Sequence, residues 1–215
     1  MRIGVIGTGS VGATIATQLV AKDHEVRLGS RTADNEKAAA WAAKVGPRAS
    51  HGTFADAAGF GQLLFNCTLG EISLAALESA GRENLAGKVL VDVANPLDFS
   101  TGMTPHLFVA NTDSLGERIQ REFPEARVVK ALNTVAAPIM VNPGKLHGEH
   151  LVFVCGNDAG AKADVTRLLQ RDFGWKRVLD LGDITASRGT EAYLLLWLRL
   201  WGALKTTDFN VALAQ

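Results

Sequence analysis

The chain has 215 residues, of which 47% are apolar and 20% are charged, so it can bury a full core and keep a polar surface. Its 22 basic and 22 acidic residues cancel, which argues against a nucleic-acid binder, since that class usually carries a basic excess. The two cysteines, Cys67 and Cys155, are too few for a disulfide framework and lack the spacing of a zinc site. Because the N-terminal residues show no signal-peptide pattern, we expect a cytoplasmic protein.

Short apolar runs alternate with longer helical patterns along the chain. The predicted strands are 2–6, 25–29, 49–52, 62–68, 88–93, 127–132, 150–155 and 177–181. The predicted helices are 10–22, 36–45, 72–80, 112–123, 158–172 and 185–204. Strands and helices that alternate in this way form right-handed crossovers around a parallel sheet. We therefore predict an α/β fold with a Rossmann-type, doubly wound, mainly parallel sheet.

The predicted elements divide into two parts of unequal size. Residues 1–131 form a first, nucleotide-binding unit, and residues 132–215 form a smaller C-terminal α/β extension that continues the sheet. The extension ends in the helix 185–204, whose apolar residues cover nearly its whole circumference, as in helices buried on all sides. We expect a homodimer with this helix near the interface, and burial within one subunit is the alternative.

The run Gly7-Thr8-Gly9-Ser10-Val11-Gly12 matches the dinucleotide-binding fingerprint, and its context strengthens the match. It follows an apolar strand and opens a helix with apolar periodicity. Gly7 permits the tight turn, Gly9 lets a pyrophosphate approach the backbone, and Gly12 allows the helix to pack closely on the strand. The free N–H groups at the start of the helix then favour the phosphates. This pattern predicts a dinucleotide site.

The end of the second strand indicates which dinucleotide binds. NAD sites usually carry an acidic residue there for the ribose 2′-hydroxyl, whereas this chain has Leu28-Gly29-Ser30-Arg31-Thr32. Ser30 can donate a hydrogen bond to a 2′-phosphate, and Arg31 can clamp it with charge-assisted bonds. Lys37, in the next helix, adds positive potential. We therefore predict a preference for NADP(H) over NAD(H).

No protein group for acid–base or nucleophilic chemistry is evident. The carboxylates are scattered, the five histidines form no metal-binding set, and no metal site is expected. Cys67 ends a strand near the predicted ligand edge, where a buried, inert thiol is the favoured interpretation. A hydride can pass directly from the nicotinamide to a flavin or deazaflavin ring, so this reaction needs no such group.

The chain resembles the F420-dependent NADP oxidoreductase family over nearly its whole length. The resemblance rests on the glycine loop and the Gly29-Ser30-Arg31 turn, together with several later motifs. These are Val129-Lys130-Ala131-Leu132-Asn133-Thr134, Val154-Cys155-Gly156-Asn157-Asp158, Asp180-Leu181-Gly182-Asp183-Ile184 and Arg188-Gly189-Thr190-Glu191. Members of this family are small Rossmann proteins that pass a hydride between NADP(H) and the deazaflavin coenzyme F420.

The resemblance implies site residues as well as an activity. NADP(H) would contact residues 8–11, Ser30, Arg31, Thr68, Asn95 and Ala137, and Asn133 and Thr134 would line the acceptor pocket. The stretch Thr68-Leu69-Gly70 replaces a proline–aromatic pair of archaeal members, and Asn133 stands where some of them carry histidine. Both departures lie near the deazaflavin pocket.

Three further functions are compatible with the same sequence. The chain can be an NADPH-dependent flavin or ferric reductase, an imine reductase, or a non-catalytic NADP-sensing protein. Imine reductases of the pyrroline-carboxylate type carry a longer helical dimer domain than the tail present here.

Overall fold

The computed structural model of the protein describes residues 1–100, 102 and 105–214. Its strands are β1 (Arg2–Ile6), β2 (Glu25–Ser30), β3 (Ala49–Thr53), β4 (Leu63–Asn66), β5 (Val89–Asp92), β6 (Leu97–Asp98), β7 (His106–Leu107), β8 (Arg127–Ala131), β9 (Val152–Cys155) and β10 (Val178–Asp180). Its helices are α1 (Ser10–Ala21), α2 (Glu36–Val45), α3 (Phe54–Phe60), α4 (Ser73–Ala80), α5 (Arg82–Leu85), α6 (Leu115–Glu122), α7 (Ala137–Val141), α8 (Ala159–Leu168) and α9 (Ser187–Leu204).

Eight strands form one sheet in the order β10-β9-β8-β5-β4-β1-β2-β3. Neighbours are parallel throughout except β8 and β9, which are antiparallel, so β9 and β10 run against the other six strands. The order reverses direction at β1, which pairs with β2 on one side and β4 on the other. The predicted mainly parallel, doubly wound sheet is confirmed, and its switch point lies beside the glycine loop.

The central strands are buried on both faces. Ile3, Val5 and Ile6 of β1 are completely inaccessible, as are Leu64 and Phe65 of β4. Continuous apolar runs of this kind are typical of parallel strands covered by helices on both sides. The hydrophobic cluster around β1 also includes residues of β9 and of the segment after α8. The predicted boundary between residues 1–131 and residues 132–215 therefore falls inside one continuous sheet. The division of the chain into two units stays a proposal.

Short elements are where the structure departs from the sequence-based assignment. The helices α3, α5 and α7 and the β6–β7 hairpin were not predicted. The sequence does contain a start signal for α3, namely the pair Thr53 and Asp56, which forms a capping box. The Thr53 side chain accepts a hydrogen bond from the Asp56 N–H, and the Asp56 carboxylate accepts one from the Thr53 N–H. The predicted helix 158–172 continues past α8 as a π-helical turn, Leu169–Phe173, which ends at Gly174.

Helix α9 is buried along only part of its length. Its first half packs into the protein through Ser187, Thr190, Glu191 and Leu194. Its second half leaves large apolar side chains exposed: Leu195, Leu196, Trp201 and Leu204. The alternative to a dimer interface, in which one subunit buries the whole helix, is therefore not observed for the second half of α9. None of the described helices combines the length and apolarity needed to cross a membrane.

Candidate functional site

The glycine loop has the geometry that its sequence predicts. Gly7 has φ +116°, and a Cβ there would lie 2.7 Å from the Cys67 carbonyl oxygen. A Cβ on Gly12 would lie only 2.2 Å from the Gly7 carbonyl oxygen, so α1 can approach β1 only because this residue is glycine. A Cβ on Gly9, in contrast, would meet no atom within 4 Å. The loop is thus tight on its protein side and open on its outer side.

The open side of the loop fits an anionic group. Gly9 is the N-cap of α1, and no side chain caps the first turn, which also contains no acidic residue. The N–H groups that begin this 12-residue helix therefore have no side-chain acceptor, and the positive end of the helix dipole points into the opening. A pyrophosphate is the group that such an opening binds in dinucleotide sites, so these residues fit NADP(H).

A groove with a cavity volume of about 580 Å³ extends from this loop toward β2. Gly7 and its neighbours Thr8, Gly9, Ser10 and Val11 line one end, and Ser30, Arg31, Thr32, Asn35 and Phe54 line the other. The Arg31 side chain is exposed, and within the described part of the chain no carboxylate pairs with it. Ser30 is buried, and its hydroxyl donates to the Thr32 carbonyl, so in this structure it shapes the turn that presents Arg31.

Two further predicted contacts lie outside this groove. Lys37 is exposed on α2 and does not line the cavity. Ala137 begins α7, which packs against α1 next to the glycine loop. Their contacts with a cofactor stay predictions.

A second cavity of about 200 Å³ adjoins the groove, and the two share Val11, Cys67, Thr68 and Leu69. It lies over the carboxyl ends of β4 and β5 and is also lined by Val93, Ala94 and Asn95. Leu69 and Phe99 at its rim are 67% and 50% exposed, which is unusual for large apolar side chains. Glu71 is the charged residue among the described residues that line it. The cavity therefore offers apolar walls with an amide at one side.

The predicted acceptor residues Asn133 and Thr134 lie behind this cavity. Both are buried, and neither lines either cavity. The side-chain amide of Asn133 donates to Asn95 Oδ1 and to the Thr190 carbonyl oxygen, and Asn95 Nδ2 donates back to the Asn133 carbonyl, at 2.9 to 3.1 Å. Asn133 thus orients Asn95, and direct contact of Asn133 or Thr134 with an acceptor stays a prediction.

The residue before Asn133 has a strained backbone. Leu132 is buried and has φ +65°, a left-handed conformation that a branched residue adopts only when its surroundings impose it. Strain of this kind is concentrated at functional sites, because it aims neighbouring side chains where a regular strand would not. Here it turns the chain out of β8 and brings Asn133 against Asn95.

A buried ionic network beneath the second cavity was missed by the sequence analysis, which found the carboxylates scattered. Lys130 Nζ lies 2.7 Å from Asp92 Oδ2 and 2.8 Å from Glu191 Oε1, and it donates to the Ala94 carbonyl at 2.6 Å. All three side chains are buried. Burial alone lowers the pKa of Lys130, but attraction by Asp92 and Glu191 outweighs it, so the pKa is raised overall. We call these three residues the buried triad.

Both carboxylates of the buried triad accept hydrogen bonds through each of their two oxygens. Asp92 Oδ1 accepts from the Asn66 side chain at 2.8 Å and from the Ala94 N–H at 3.2 Å. Glu191 accepts from the N–H groups of Leu115 and Gly116, which begin α6. The sequence contains one indication of this buried network, which is a charged residue inside each of two apolar strands. These residues are Asp92 in β5 and Lys130 in β8.

From Asn66 the network reaches the cofactor groove. Asn66 Oδ1 accepts from the Thr68 hydroxyl at 2.7 Å, and Asn66 Nδ2 donates to Ser73 Oγ at 3.2 Å. Thr68 lines both cavities. The wall of the site is therefore hydrogen-bonded to the sheet interior, which fixes its shape before a ligand binds.

The thiol between the two cavities lies in surroundings that disfavour its reactive thiolate form. Cys67 is buried, and burial followed by repulsion from Asp92 raises the pKa of its thiol well above the usual range. A thiol that stays protonated is a poor nucleophile. No three histidine, cysteine or acidic side chains converge on a possible metal position among the residues that the structure describes.

Another cavity lies at the opposite edge of the sheet. It measures about 670 Å³ and is lined by residues at the amino ends of the strands, including Leu63, Val89 and Arg127. Ligands of open α/β sheets bind outside the carboxyl ends of the strands, so we assign the site to the smaller cavities beside the glycine loop.

Comparisons with known proteins show the family of the chain. The family model described as NADP oxidoreductase, coenzyme F420-dependent, matches residues 2–96. A crystal structure from Arthrobacter sp. FB24, described as a “putative f420 dependent nadp-reductase”, is 52% identical over the whole of both chains, with a TM-score of 0.94. Rat metalloreductase STEAP3 is 30% identical over 203 residues, which are 93% of this chain and 38% of that protein.

An imine reductase from Streptomyces aurantiacus shares the fold at 20% identity, with a TM-score of 0.66, over 95% of this chain and 63% of that one. At this identity the likeness concerns the fold alone. The match to the Arthrobacter protein covers both chains completely, and the family model covers the glycine loop and the strands around it. The chain therefore belongs to the family of coenzyme F420-dependent NADP oxidoreductases.

Proposed function

We propose that this protein binds NADP(H) along the carboxyl edge of its sheet and transfers a hydride between the nicotinamide and coenzyme F420 or a flavin-like ring. The observation that carries the proposal is the pair of adjoining cavities that share Val11, Cys67, Thr68 and Leu69. One contains the open glycine loop and Arg31, as a phosphorylated dinucleotide requires. The other has apolar walls, as a flat ring requires.

The chain's contribution to such a reaction is binding, orientation and exclusion of water. Bound NADPH supplies the hydride itself. Asn95, held by Asn133, offers an amide to orient a polar ring substituent. Leu69 and Phe99 present apolar surface beside it, which keeps water from the reacting rings.

A ferric or flavin acceptor is the second candidate, and the 30% identity to a metalloreductase favours it. Reduction of an imine and a purely sensory role are also compatible with an NADP(H) site. The deciding experiment mixes purified protein and NADPH with F420, flavin mononucleotide, a ferric chelate or a cyclic imine, and follows absorbance at the NADPH band. Turnover of F420 or flavin supports the proposal, whereas tight NADPH binding without turnover of any acceptor identifies a sensor.

We predict that no histidine takes part in the hydride step. His106, in β7, is the critical case, because it pairs with Asp98 in the hairpin that also carries Leu97, which lines the second cavity. His106→Ala, like replacement of His147 or His150, should leave the single-turnover rate nearly unchanged. General acid–base groups contribute about a hundredfold or more, so a loss of that size with NADPH affinity intact would contradict the mechanism.

The exposed half of α9 supports the proposed homodimer. Leu196 and Leu204 are 57% and 54% exposed, and Leu195 and Trp201 lie beside them on the same half-helix. Several exposed large apolar side chains on one short stretch of helix are typical of an interaction surface, and a second copy of the chain offers the same stretch around a two-fold axis.

We expect sedimentation velocity at micromolar concentration to show a dimer, and Leu196→Glu to shift it to monomer. The matched control is Leu179→Glu, at an exposed leucine on β10. A wild-type monomer, or an equal effect of the control, would refute the interface.

We also propose a cytoplasmic location, because both cysteines are buried and unpaired.

A further inference from the structure

We infer that the buried triad Asp92–Lys130–Glu191 sets the relative affinity of the site for NADP⁺ and NADPH, by placing a net negative charge behind the nicotinamide. The inference rests on the proposed function, because it needs the nicotinamide in the second cavity. It assigns to these three residues a role in distinguishing the oxidation states of the cofactor.

The first step concerns the charge of the buried triad. Every contact that Asp92 and Glu191 make through their carboxylate oxygens is with a donor: an ammonium, a backbone N–H or an amide NH₂. A protonated carboxyl would need an acceptor for its own hydrogen, and none is present among these contacts. Lys130 in turn has an acceptor for each of its three N–H groups. Two carboxylates and one ammonium give a formal charge of −1.

The second step concerns the position of that charge. Ala94 forms part of the cavity wall, and its backbone bonds to two members of the buried triad. Its N–H donates to Asp92 and its carbonyl accepts from Lys130. The charged groups are therefore in direct hydrogen-bond contact with a residue of the wall against which a ring would lie.

The third step concerns the ligand. The nicotinamide ring carries a positive charge when oxidised and none when reduced. A net negative charge behind the wall therefore stabilises bound NADP⁺ and leaves bound NADPH almost unaffected. Because the buried triad is removed from solvent, salt screens it weakly. Glu71 also lines the cavity, but it is exposed, so its contribution should fall with added salt.

The test measures the dissociation constants of NADP⁺ and NADPH by calorimetry, and their ratio is the readout. For the wild type we expect NADP⁺ to bind at least as tightly as NADPH, with a ratio that changes little up to about 0.5 M KCl. Glu191→Gln and Asp92→Asn each remove one negative charge. Each should raise the ratio of the NADP⁺ to the NADPH constant by about five- to twentyfold, as expected for one charge at short range in a partly buried site.

Glu117→Gln is the matched control. Glu117 is also a buried carboxylate that joins α6 to α9, but its side-chain hydrogen bonds among the described residues go to Ser114 and Arg188 and not to the loop after β5. If Glu191→Gln changed the ratio of the two dissociation constants by loosening α9, Glu117→Gln would change this ratio as well. We expect its ratio to stay within about twofold of the wild type, a shift too small to represent a buried charge.

The outcomes separate this inference from the proposed function. Equal weakening of both cofactor forms in Glu191→Gln and Asp92→Asn would show that the buried triad only supports the fold, and would overturn the inference. A wild type that prefers NADPH more than tenfold would also overturn it, without any variant. Failure of the wild type to bind either form would instead refute the proposed function.

Discussion

Replacement of Arg31 with alanine is expected to weaken NADPH binding by about ten- to a hundredfold and to leave NADH binding nearly unchanged. The chain has no net charge, so attraction for a 2′-phosphate must come from local donors. Arg31 is exposed at the end of the groove and has no carboxylate partner among the described residues, so its guanidinium is available. A hydrogen bond to a charged group contributes about 1.5–3 kcal/mol, and each 1.4 kcal/mol is tenfold in affinity.

The effect should be specific to the phosphate and to the guanidinium. Arg31→Lys should recover only part of the loss, because a point charge cannot form the planar pair of bonds. Lys37→Ala should have a smaller effect, since Lys37 does not line the groove. Calorimetric titration of each variant with NADPH and with NADH measures these changes in affinity. Equal weakening of NADPH and NADH by Arg31→Ala would mean that Arg31 supports the fold or the adenine, and the NADP preference would need another origin.

Replacement of Lys130 with methionine is expected to lower the free energy of unfolding by about 3–5 kcal/mol, the range measured when one partner of a buried ion pair is removed. Methionine matches the length of the lysine stem but leaves Asp92 and Glu191 facing each other without the ammonium that lies between them. Two carboxylates in a buried space must then take up a proton or draw in water, and either change costs stability.

Lys145→Met is the matched control for this prediction. Lys145 pairs with Asp208 at 2.8 Å, almost the same distance as Lys130 and Asp92, but that pair is nearly half exposed. Exposed pairs contribute little, so the control should change stability by less than about 1 kcal/mol. Urea unfolding of both variants at neutral pH measures the difference. Similar values for the two would show that burial of the Lys130 pair carries no special penalty.

Several features of this protein follow from the sequence alone, because they depend on neighbouring residues. The glycine loop requires a strand, a tight turn and a helix within a few residues, so its spacing is legible in the sequence and recurs in the structure. The same is true of the strand and helix order, which periodicity indicates for all eight strands of the main sheet. The helices α3, α5 and α7, of four to seven residues, and the two-residue strands β6 and β7 were missed, because a helix of one or two turns or a strand of two residues has too few positions to show its period.

Tertiary structure alone decided what these elements bring together. Asp92, Lys130 and Glu191 are 38 and 61 residues apart along the chain, and only the pairing of β5 with β8 and the packing of α9 join them. The sequence placed Asn133 at the acceptor pocket, and the tertiary structure adds that the left-handed turn at Leu132 brings it into hydrogen-bond contact with Asn95. In helix α9 the large apolar residues lie mainly in the second half, yet the buried residues are Ser187, Thr190, Glu191 and Leu194 at its start. Burial and charge pairing depend on contacts between distant segments, which local sequence patterns do not encode.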